Sequence, residues 1–252
     1  MANEIEKMII AASRLLPKSG GVFVGTGMPL LASTLALNTH APDLLLVFEG
    51  GGVGGKPTGR LPIQVSESLT YENGVIVGSM DYVMCLAQAG WIQYGFLGGA
   101  QIDQYGNLNT TVIGDWEQPK VRLPGSGGGA DLASLCERTI ILMGQDRKKF
   151  VQKLDFLTSP GYLTGPGERK KVGLPANTGP YRVITQLGIY GFDEETKKMT
   201  LLQLFEGYTL EDVEKNSSFP ITVSEDWSYI QPPTEQELEA LRSLDPDGIV
   251  LA

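Results

Sequence analysis

The sequence is poor in the residues on which many enzymes rely, with one histidine, His40, and two cysteines, Cys85 and Cys136, among 252 residues. A zinc site built from several imidazoles, or a Ser-His-Asp triad, therefore has one candidate histidine at most. His40 follows Asn38 and Thr39 in a loop, and we interpret it as a structural rather than a catalytic residue. Two cysteines in apolar surroundings are typical of a cytoplasmic protein without disulfides.

Long apolar runs and basic clusters are missing as well. The chain has no run of 18 apolar residues, so we expect no membrane-spanning helix. The N-terminal stretch MANEIEKMIIAASRLLPKSGG combines early acidic residues with amphipathic spacing, which predicts a soluble helix and not a signal peptide. The net charge is −9 and the longest basic run is RKK. We therefore expect neither nucleic acid nor a membrane surface as a partner.

Glycine and proline are abundant, with 32 and 15 residues, and they separate short apolar segments. Val22 to Gly25, Leu30 to Leu37 and Leu44 to Phe48 read as strand, helix and strand. Such a crossover unit predicts an α/β fold with an open, mostly parallel sheet covered by helices. Alternating apolar positions in YRVITQLGIYGFD and KKMTLLQLF predict an additional β-hairpin region toward the C-terminus. We expect residues 1–252 to form a single domain.

Two later segments carry further local signals. Residues 158–180 hold four prolines and five glycines, which predicts no regular element. Such a long irregular connection serves either function or surface packing, and the sequence does not distinguish the two. Thr209 precedes acidic residues, and Thr234 with Glu237 forms a capping-box pattern, so a helix is predicted to begin at each threonine.

The stretch LLLVFEGGGVGG, residues 44–55, sends an apolar strand directly into a glutamate and then into five glycines. A carboxylate at the end of a buried strand has to be hydrogen-bonded or used. Glycines beside Glu49 let a large ligand approach it and leave backbone N–H groups available to an oxyanion. The alternative is that Glu49 only accepts hydrogen bonds from a glycine turn. This segment alone supports both interpretations equally.

Two more glycine-rich stretches follow predicted strands. The stretch PGSGGGADLA, residues 124–133, precedes a predicted helix, an arrangement that aims backbone amides at negative charge. The stretch GGAQIDQYGNLN, residues 98–109, follows another strand. The ends of parallel strands meet at the carboxyl edge of such a sheet, where ligands of these folds bind. This convergence favours a functional role for Glu49.

Several spaced motifs together resemble the beta subunits of the family I CoA-transferases, and of these most closely the glutaconate CoA-transferase type. The resemblance covers roughly Gly20 to Asp245, and it is carried by GTGMPLLAS, APDLLLVFEGGG, GGAQIDQYGNLN, GSGGGADLAS and DFLTSPGYLTGPGERKKVGLP.

The resemblance implies a nucleophilic glutamate, for which the chain offers two candidates. Glu72, in YENG, copies the family's Ser-Glu-Asn-Gly signature more literally than Glu49 does. The family's glutamate, however, ends the strand after the G-x-P helix. Glu49 lies 20 residues after Pro29, whereas Glu72 lies 43 residues after it and follows no buried strand. We therefore assign the nucleophile to Glu49 and interpret Glu72 as a turn residue.

The resemblance further implies that an acyl-CoA thioester is the substrate and that a glutamyl-CoA thioester forms on Glu49. Gly127 and Gly128 would donate to the oxyanion, and Gly98, Gly99, Ala100 and Gln101 would line the CoA path, although tight turns at these positions explain each residue equally well. No metal and no permanently bound cofactor is expected, in agreement with the single histidine.

A homologous alpha subunit is the implied partner, in an αβ unit that assembles as α2β2 or α4β4, and the chain should be inactive without it. Two alternatives stay open, a CoA-thioester hydrolase or decarboxylase on the same fold and a non-catalytic partner subunit. Phe48 and the glycines Gly50 to Gly52 depart from the family pattern. We interpret these glycines as room for a larger acyl group.

Overall fold

The computed structural model describes residues 2–57 and 60–251. The chain divides into two compact units. The first unit is Met1–Phe96 together with Pro232–Ala252, and the second unit is Leu97–Gln231. That residues 1–252 act as one CoA-transferase domain stays a prediction.

The helices within the described residues are α1 (Glu4–Arg14), α2 (Met28–Asn38), α3 (Met80–Gln88), α4 (Gly129–Leu135), α5 (Glu168–Lys171), α6 (Leu210–Lys215) and α7 (Glu235–Leu244), with a 3₁₀ helix at Ser68–Tyr71. The strands are β1 (Ser19–Val24), β2 (Asp43–Phe48), β3 (Gly52–Val53), β4 (Ile76–Val77), β5 (Ile92–Leu97), β6 (Gln101–Ile102), β7 (Leu108–Asn109), β8 (Val112–Gly114), β9 (Pro119–Arg122), β10 (Arg138–Leu142), β11 (Pro180–Ile184), β12 (Gly188–Phe192), β13 (Met199–Leu204) and β14 (Thr222–Tyr229).

The strands of the first unit lie in the order β5-β1-β2-β3-β4. β1 runs parallel to both β2 and β5, whereas β3 is antiparallel to β2 and β4 is antiparallel to β3. Val24 pairs with Phe48, so the carboxyl ends of β1 and β2 lie side by side. The predicted strand-helix-strand unit is confirmed, with each boundary within two or three residues of the expected one.

α2 packs against β1 and β2 and also contacts α1 and α7. Its sequence, MPLLASTLALN, is apolar all round, and its residues Leu30 to Leu37 are all buried. A helix without a polar face is stable only where both sides are covered. α1 and α7 supply the outer cover, and the polar side of α1 is itself covered in part, since Glu6 and Ser13 are buried. The helix predicted from the apolar spacing of the N-terminal stretch is confirmed as α1.

The strands of the second unit lie in the order β14-β13-β12-β11-β10. β10 and β11 are parallel, β11-β12-β13 are antiparallel, and β14 returns parallel to β13. This arrangement confirms the predicted hairpin region. β6-β7 and β8-β9 form two small separate hairpins. One prediction is wrong, because residues 158–180 include the one-turn helix α5 between Gly167 and Val172.

Two ion pairs tie the C-terminal helix α7 to α1. The Arg14 guanidinium donates to both carboxylate oxygens of Glu237 at 2.7 and 2.6 Å, and Arg242 donates to Glu6 at 2.6 Å. Glu237 also closes the predicted capping box with Thr234, which the structure confirms. Burial opposes ionisation of Glu237, but hydrogen bonds from Arg14 and Thr234 outweigh it and lower its pKa from 4.5 to about 2.

Replacing Glu237 by Gln should therefore lower the free energy of unfolding by about 1–2 kcal/mol at pH 7, because the amide keeps the cap but loses the charge. A carboxyl group whose pKa is depressed in the folded state stabilises it above the unfolded pKa, and this contribution is lost as the pH falls from about 4.5 toward 2. Urea unfolding of the wild type and the Glu237→Gln variant at pH 7 and pH 3 measures the difference in the free energy of unfolding at each pH.

Glu239 lies exposed on the same helix and provides the control, since Glu239→Gln should have little effect at either pH. A Glu237→Gln deficit that is as large at pH 3 as at pH 7 would contradict the assignment to the ion pair.

Candidate active site

Glu49 is the first residue after β2 and lies in a four-residue turn. Phe48 before it is fully buried, Glu49 itself is half-buried, and the N–H of Gly51 donates to the carbonyl of Phe48 at 2.9 Å. Glu49 is therefore the second residue of a β-turn. The chain reverses here, and β3 pairs back on β2 with Val53 opposite Val47. A buried strand thus delivers the glutamate to a turn at the sheet edge, as the sequence predicted.

The carboxylate of Glu49 makes no hydrogen bond or ion pair within residues 2–57 and 60–251. The neighbouring glycine amides have backbone partners instead. Gly50 donates to Val65 at 3.3 Å, and Gly54 donates to Leu46 at 2.7 Å. The hydrogen bonds expected of a glutamate that caps a glycine turn are thus not formed in the part of the chain that is described, which favours the reactive interpretation of Glu49.

Open backbone adjoins Glu49 on the side of β1. Gly25 and Gly27 follow β1 directly, and β1 is the parallel neighbour of β2. A Cβ atom added to either glycine would meet no described atom within 4 Å. Gly27 has a φ of 75° and precedes α2. These two glycines, and not those after Glu49, leave steric space at this edge.

The glycines after Glu49 are closely packed. A Cβ on Gly50 would lie 2.7 Å from the Cα of Ser66, and one on Gly52 would lie 2.5 Å from the carbonyl oxygen of Thr70. Gly51, at a φ of 116°, faces the carbonyl of Gly78 even more closely. The space beside Gly50 to Gly52 is filled by the backbone of residues 65–79. Our interpretation of these glycines as room for a larger acyl group is therefore wrong.

Tyr71 holds the turn that follows Glu49. Its hydroxyl donates to the carbonyl of Gly50 at 2.6 Å, and the N–H of Gly78 donates to the carbonyl of Gly51 at 2.9 Å. Tyr71 was not predicted from the sequence, although it begins the quoted YENG. Glu72 is the C-cap of the 3₁₀ helix. Its N–H donates to the carbonyl of Leu69, and its carbonyl accepts from the N–H of Lys56. Glu72 therefore lies in a turn, as its interpretation required.

In the second unit, the glycine loop before α4 presents free amides. Gly125 and Gly129 donate to the carbonyls of Thr110 and Ser126 at 2.8 Å each. Across the described residues, the N–H groups of Gly127 and Gly128 have no protein acceptor. A Cβ on Gly127, whose φ is 49°, would meet no described atom within 4 Å. Gly127 is exposed, so its amide is accessible to a ligand, whereas Gly128 is buried.

The four residues predicted along the CoA path differ in their surroundings. Gly98 is exposed, whereas Gly99 packs against Leu108 and Ala100 donates to the carbonyl of Asn109. Gln101 is 6% exposed. Its side-chain oxygen accepts from Asn109 at 2.8 Å, and its amide donates to Asp155 at 3.0 Å. For Gln101 the structure favours the structural alternative, because its side chain joins β6 to neighbouring segments.

His40, Cys85 and Cys136, the residue types that are scarce in the sequence, do not belong to these loops. His40 is exposed in the turn after α2, and its Nδ1 lies 3.2 Å from the hydroxyl of Thr39. Both cysteines are free, and burial raises the pKa of the Cys136 thiol to about 12. Within the described ranges there is no group of three or more His, Cys, Asp or Glu side chains that would hold a metal ion. The same residues include no helix long and apolar enough to cross a bilayer.

The carboxyl ends of two parallel strands, where Glu49, Gly25 and Gly27 lie, form an edge of the kind at which α/β proteins bind ligands. The family is set by sequence comparison. The profile of the coenzyme A transferase family matches residues 5–216, and the chain belongs to this family.

Individual relatives agree with this assignment. The chain is 40% identical to the B subunit of the 3-oxoadipate CoA-transferase of Pseudomonas knackmussii, over 95% of its length and 92% of the relative's. It is 37% identical to the B subunit of the glutaconate CoA-transferase of Acidaminococcus fermentans, over 87% and 84%. The crystal structure of glutaconate CoA-transferase from that organism matches with a TM-score of 0.94 at 31% identity, covering 100% of this chain and 98% of the other.

These findings confirm the predicted family and fold class. They also confirm that the chain corresponds to the B, or beta, subunit of a heteromeric CoA-transferase, an enzyme whose substrates are CoA thioesters.

The packing of the glycine turn predicts unequal effects of two matched substitutions. Gly52→Ala should lower the free energy of unfolding by about 2–4 kcal/mol, because its methyl group meets the Thr70 carbonyl in a backbone that cannot retreat freely. Gly25→Ala should have an effect within about 1 kcal/mol, since its Cβ meets no described neighbour. Denaturant unfolding of both variants measures the difference, and equal losses would contradict the packing role.

Proposed function

We propose that the chain supplies the nucleophile of the CoA-transferase, and that this nucleophile is Glu49. One observation carries the proposal: the Glu49 carboxylate leaves the end of a buried strand next to the open glycines Gly25 and Gly27, and it makes no hydrogen bond within the described residues. A carboxylate without a protein partner keeps both oxygens available for attack.

The proposed reaction is a double displacement. A Glu49 oxygen attacks the thioester carbon of the donor acyl-CoA, and the carbon-sulfur bond breaks, which yields an acyl-glutamyl anhydride and CoA thiolate. The thiolate then attacks the Glu49 carbonyl of the anhydride and releases the donor acid as its carboxylate. The acceptor carboxylate runs both steps backwards on the glutamyl-CoA thioester. Every step transfers an acyl group or a thiolate, so this series of reaction steps needs no metal and no redox partner.

A carboxylate is a weak nucleophile toward a thioester, so other interactions have to lower the barrier. Binding energy from the remote parts of CoA serves this purpose when it is realised in the transition state. The free amides of Gly127 and Gly128 are our candidate oxyanion donors, each contributing about 3–4 kcal/mol. The exposed Gly98 and the backbone of Gly99 and Ala100 are the candidates for contact with CoA.

A homologous alpha subunit is the proposed partner, because both relatives named above are B subunits, a designation that implies a second kind of subunit. We propose that the αβ unit assembles further as α2β2 or α4β4, that the chain alone is inactive, and that the enzyme is cytoplasmic. The two free cysteines support the last point.

Trapping the covalent intermediate tests the nucleophile. The αβ complex is incubated with acyl-CoA and then with borohydride, which reduces the glutamyl thioester to an alcohol that peptide mass mapping locates. We expect the modification on Glu49. Glu49→Gln should abolish it and lower kcat by several orders of magnitude.

Glu72→Gln is the matched control, because Glu72 is the chain's other candidate and lies in a turn close by in sequence. It should retain activity within a few-fold. Label on Glu72, or a Glu49→Gln enzyme that stays active within a few-fold, would overturn the assignment of the nucleophile to Glu49, and full activity of both variants would make this chain a non-catalytic partner.

The hydrolase or decarboxylase alternative predicts a different dependence on the acceptor. A transferase that is given only acyl-CoA should release at most about one equivalent of the donor acid per site and no free CoA, because the CoA stays on Glu49 as a thioester, and it should turn over continuously once a carboxylic acid is added. Mass spectrometry follows the released donor acid and the acyl-CoA species, and a thiol-reactive dye detects the free CoA that only hydrolysis would release. Sustained turnover of acyl-CoA without any added acid would overturn transfer in favour of hydrolysis or decarboxylation.

A further inference from the structure

The second unit contains a cavity of about 560 Å³ at the beginning of β10 and β11. Its wall includes four cationic side chains, Arg138, Arg169, Lys170 and Lys197, and one carboxylate, Glu137. This excess of positive charge contrasts with the net charge of −9 of the whole chain. The volume lies within the range of small-molecule sites. The charge of its wall therefore favours an anionic ligand.

Arg169 is the buried member of this group, with 6% of its surface exposed. Its guanidinium donates to the carbonyls of Gly161 and Ala133 at 2.8 and 3.0 Å, and to the hydroxyl of Thr178. All these acceptors are neutral, and in residues 2–57 and 60–251 no carboxylate pairs with Arg169. Its Nε is buried without a hydrogen-bond partner in the same residues. A buried charge without a counter-charge is costly, and an anion in the cavity would offset that cost.

Aromatic rings position two further cations of the wall. The Arg138 guanidinium lies 4.9 Å from the ring centre of Tyr181, and the Lys197 ammonium lies 5.4 Å from that of Tyr162. Contact with an aromatic face fixes the position of a cation but does not neutralise its charge. Glu137 approaches Arg138 only at 3.9 Å in an exposed pair, so this carboxylate reduces the positive charge of the cavity weakly.

The cavity lies at the opposite end of β10 from the proposed CoA contacts. A Cβ on Gly98 would face the carbonyl of Leu142 at the carboxyl end of this strand, whereas Arg138 begins it. Five residues of strand separate the two ends by about 13 Å. An anion in the cavity would therefore occupy a position distinct from Gly98.

We propose that this cavity is a second ligand site of the subunit, which binds a small polyanion carrying phosphate groups. Phosphate oxygens suit both the guanidinium and the ammonium groups that line it. The site takes no part in transfer of the acyl group and is independent of the role of Glu49.

Titration calorimetry of the assembled αβ complex with inorganic pyrophosphate, in buffer without divalent cations, tests the proposal. The variant Lys170→Gln/Lys197→Gln removes two cations from the wall. Its control, Lys171→Gln/Lys198→Gln, removes the adjacent exposed lysines and changes the net charge equally, but neither control residue lines the cavity. We expect saturable binding by the wild type, at least about tenfold weaker binding by the first variant, and a change within about twofold for the control.

A second titration in the presence of saturating CoA tests whether the anion occupies the same site as CoA. Undiminished pyrophosphate binding supports a site separate from the substrate's, and full competition by CoA would overturn that separation. The proposal is also overturned if the wild-type complex shows no saturable binding at millimolar pyrophosphate, or if the two double variants lose affinity equally. A circular dichroism spectrum of each variant excludes misfolding as the cause of a loss.

Discussion

Direct contact between two backbone segments is the constraint on which the edge of the first unit depends. The turn from Glu49 to Gly52 lies so close to residues 65–79 that no Cβ fits between its glycines and that segment. Tyr71 closes the contact with one hydrogen bond to Gly50. Because a turn clamped in this way has few alternative conformations, the side chain of Glu49 leaves the sheet in a defined direction. Positional precision of this kind is what a carboxylate nucleophile requires.

Access to the same glutamate depends on a different segment. α2 begins immediately beyond Gly27, and its apolar residues fix it between the sheet and the helices α1 and α7. The ion pairs of Glu237 and Glu6 hold α7 to α1 in turn. A rigidly packed helix can start directly after two bare glycines without collapsing onto them. The helical layer therefore preserves the open backbone beside Glu49.

The sequence predicted those features that depend on local patterns. Short apolar segments separated by glycine and proline located β1, α2 and β2, and Thr234 with Glu237 located the start of α7. The pairing of β3 with β4 escaped prediction, because each strand has two residues and no periodicity. Tyr71 escaped for another reason: its contact with Gly50 joins residues 21 apart in sequence, and no local signal encodes it. The spacing from Pro29 to Glu49 matches the lengths of α2 and β2, and the assignment of the nucleophile that rests on it stays a prediction.

Glycines look alike in a sequence but serve opposite purposes in this one. The long run after Glu49 suggested an open pocket, yet a Cβ atom added to Gly50, Gly51 or Gly52 would lie closer to backbone atoms than van der Waals contact allows. A Cβ atom added to Gly25 or Gly27 would meet no described atom within 4 Å. The open glycines Gly25 and Gly27 leave space for a substrate, whereas the closely packed glycines Gly50 to Gly52 fix the turn. Because one strand pair brings both kinds to Glu49, the glutamate is rigidly held on the side of β3 and accessible on the side of β1. A reactive carboxylate needs both conditions at once.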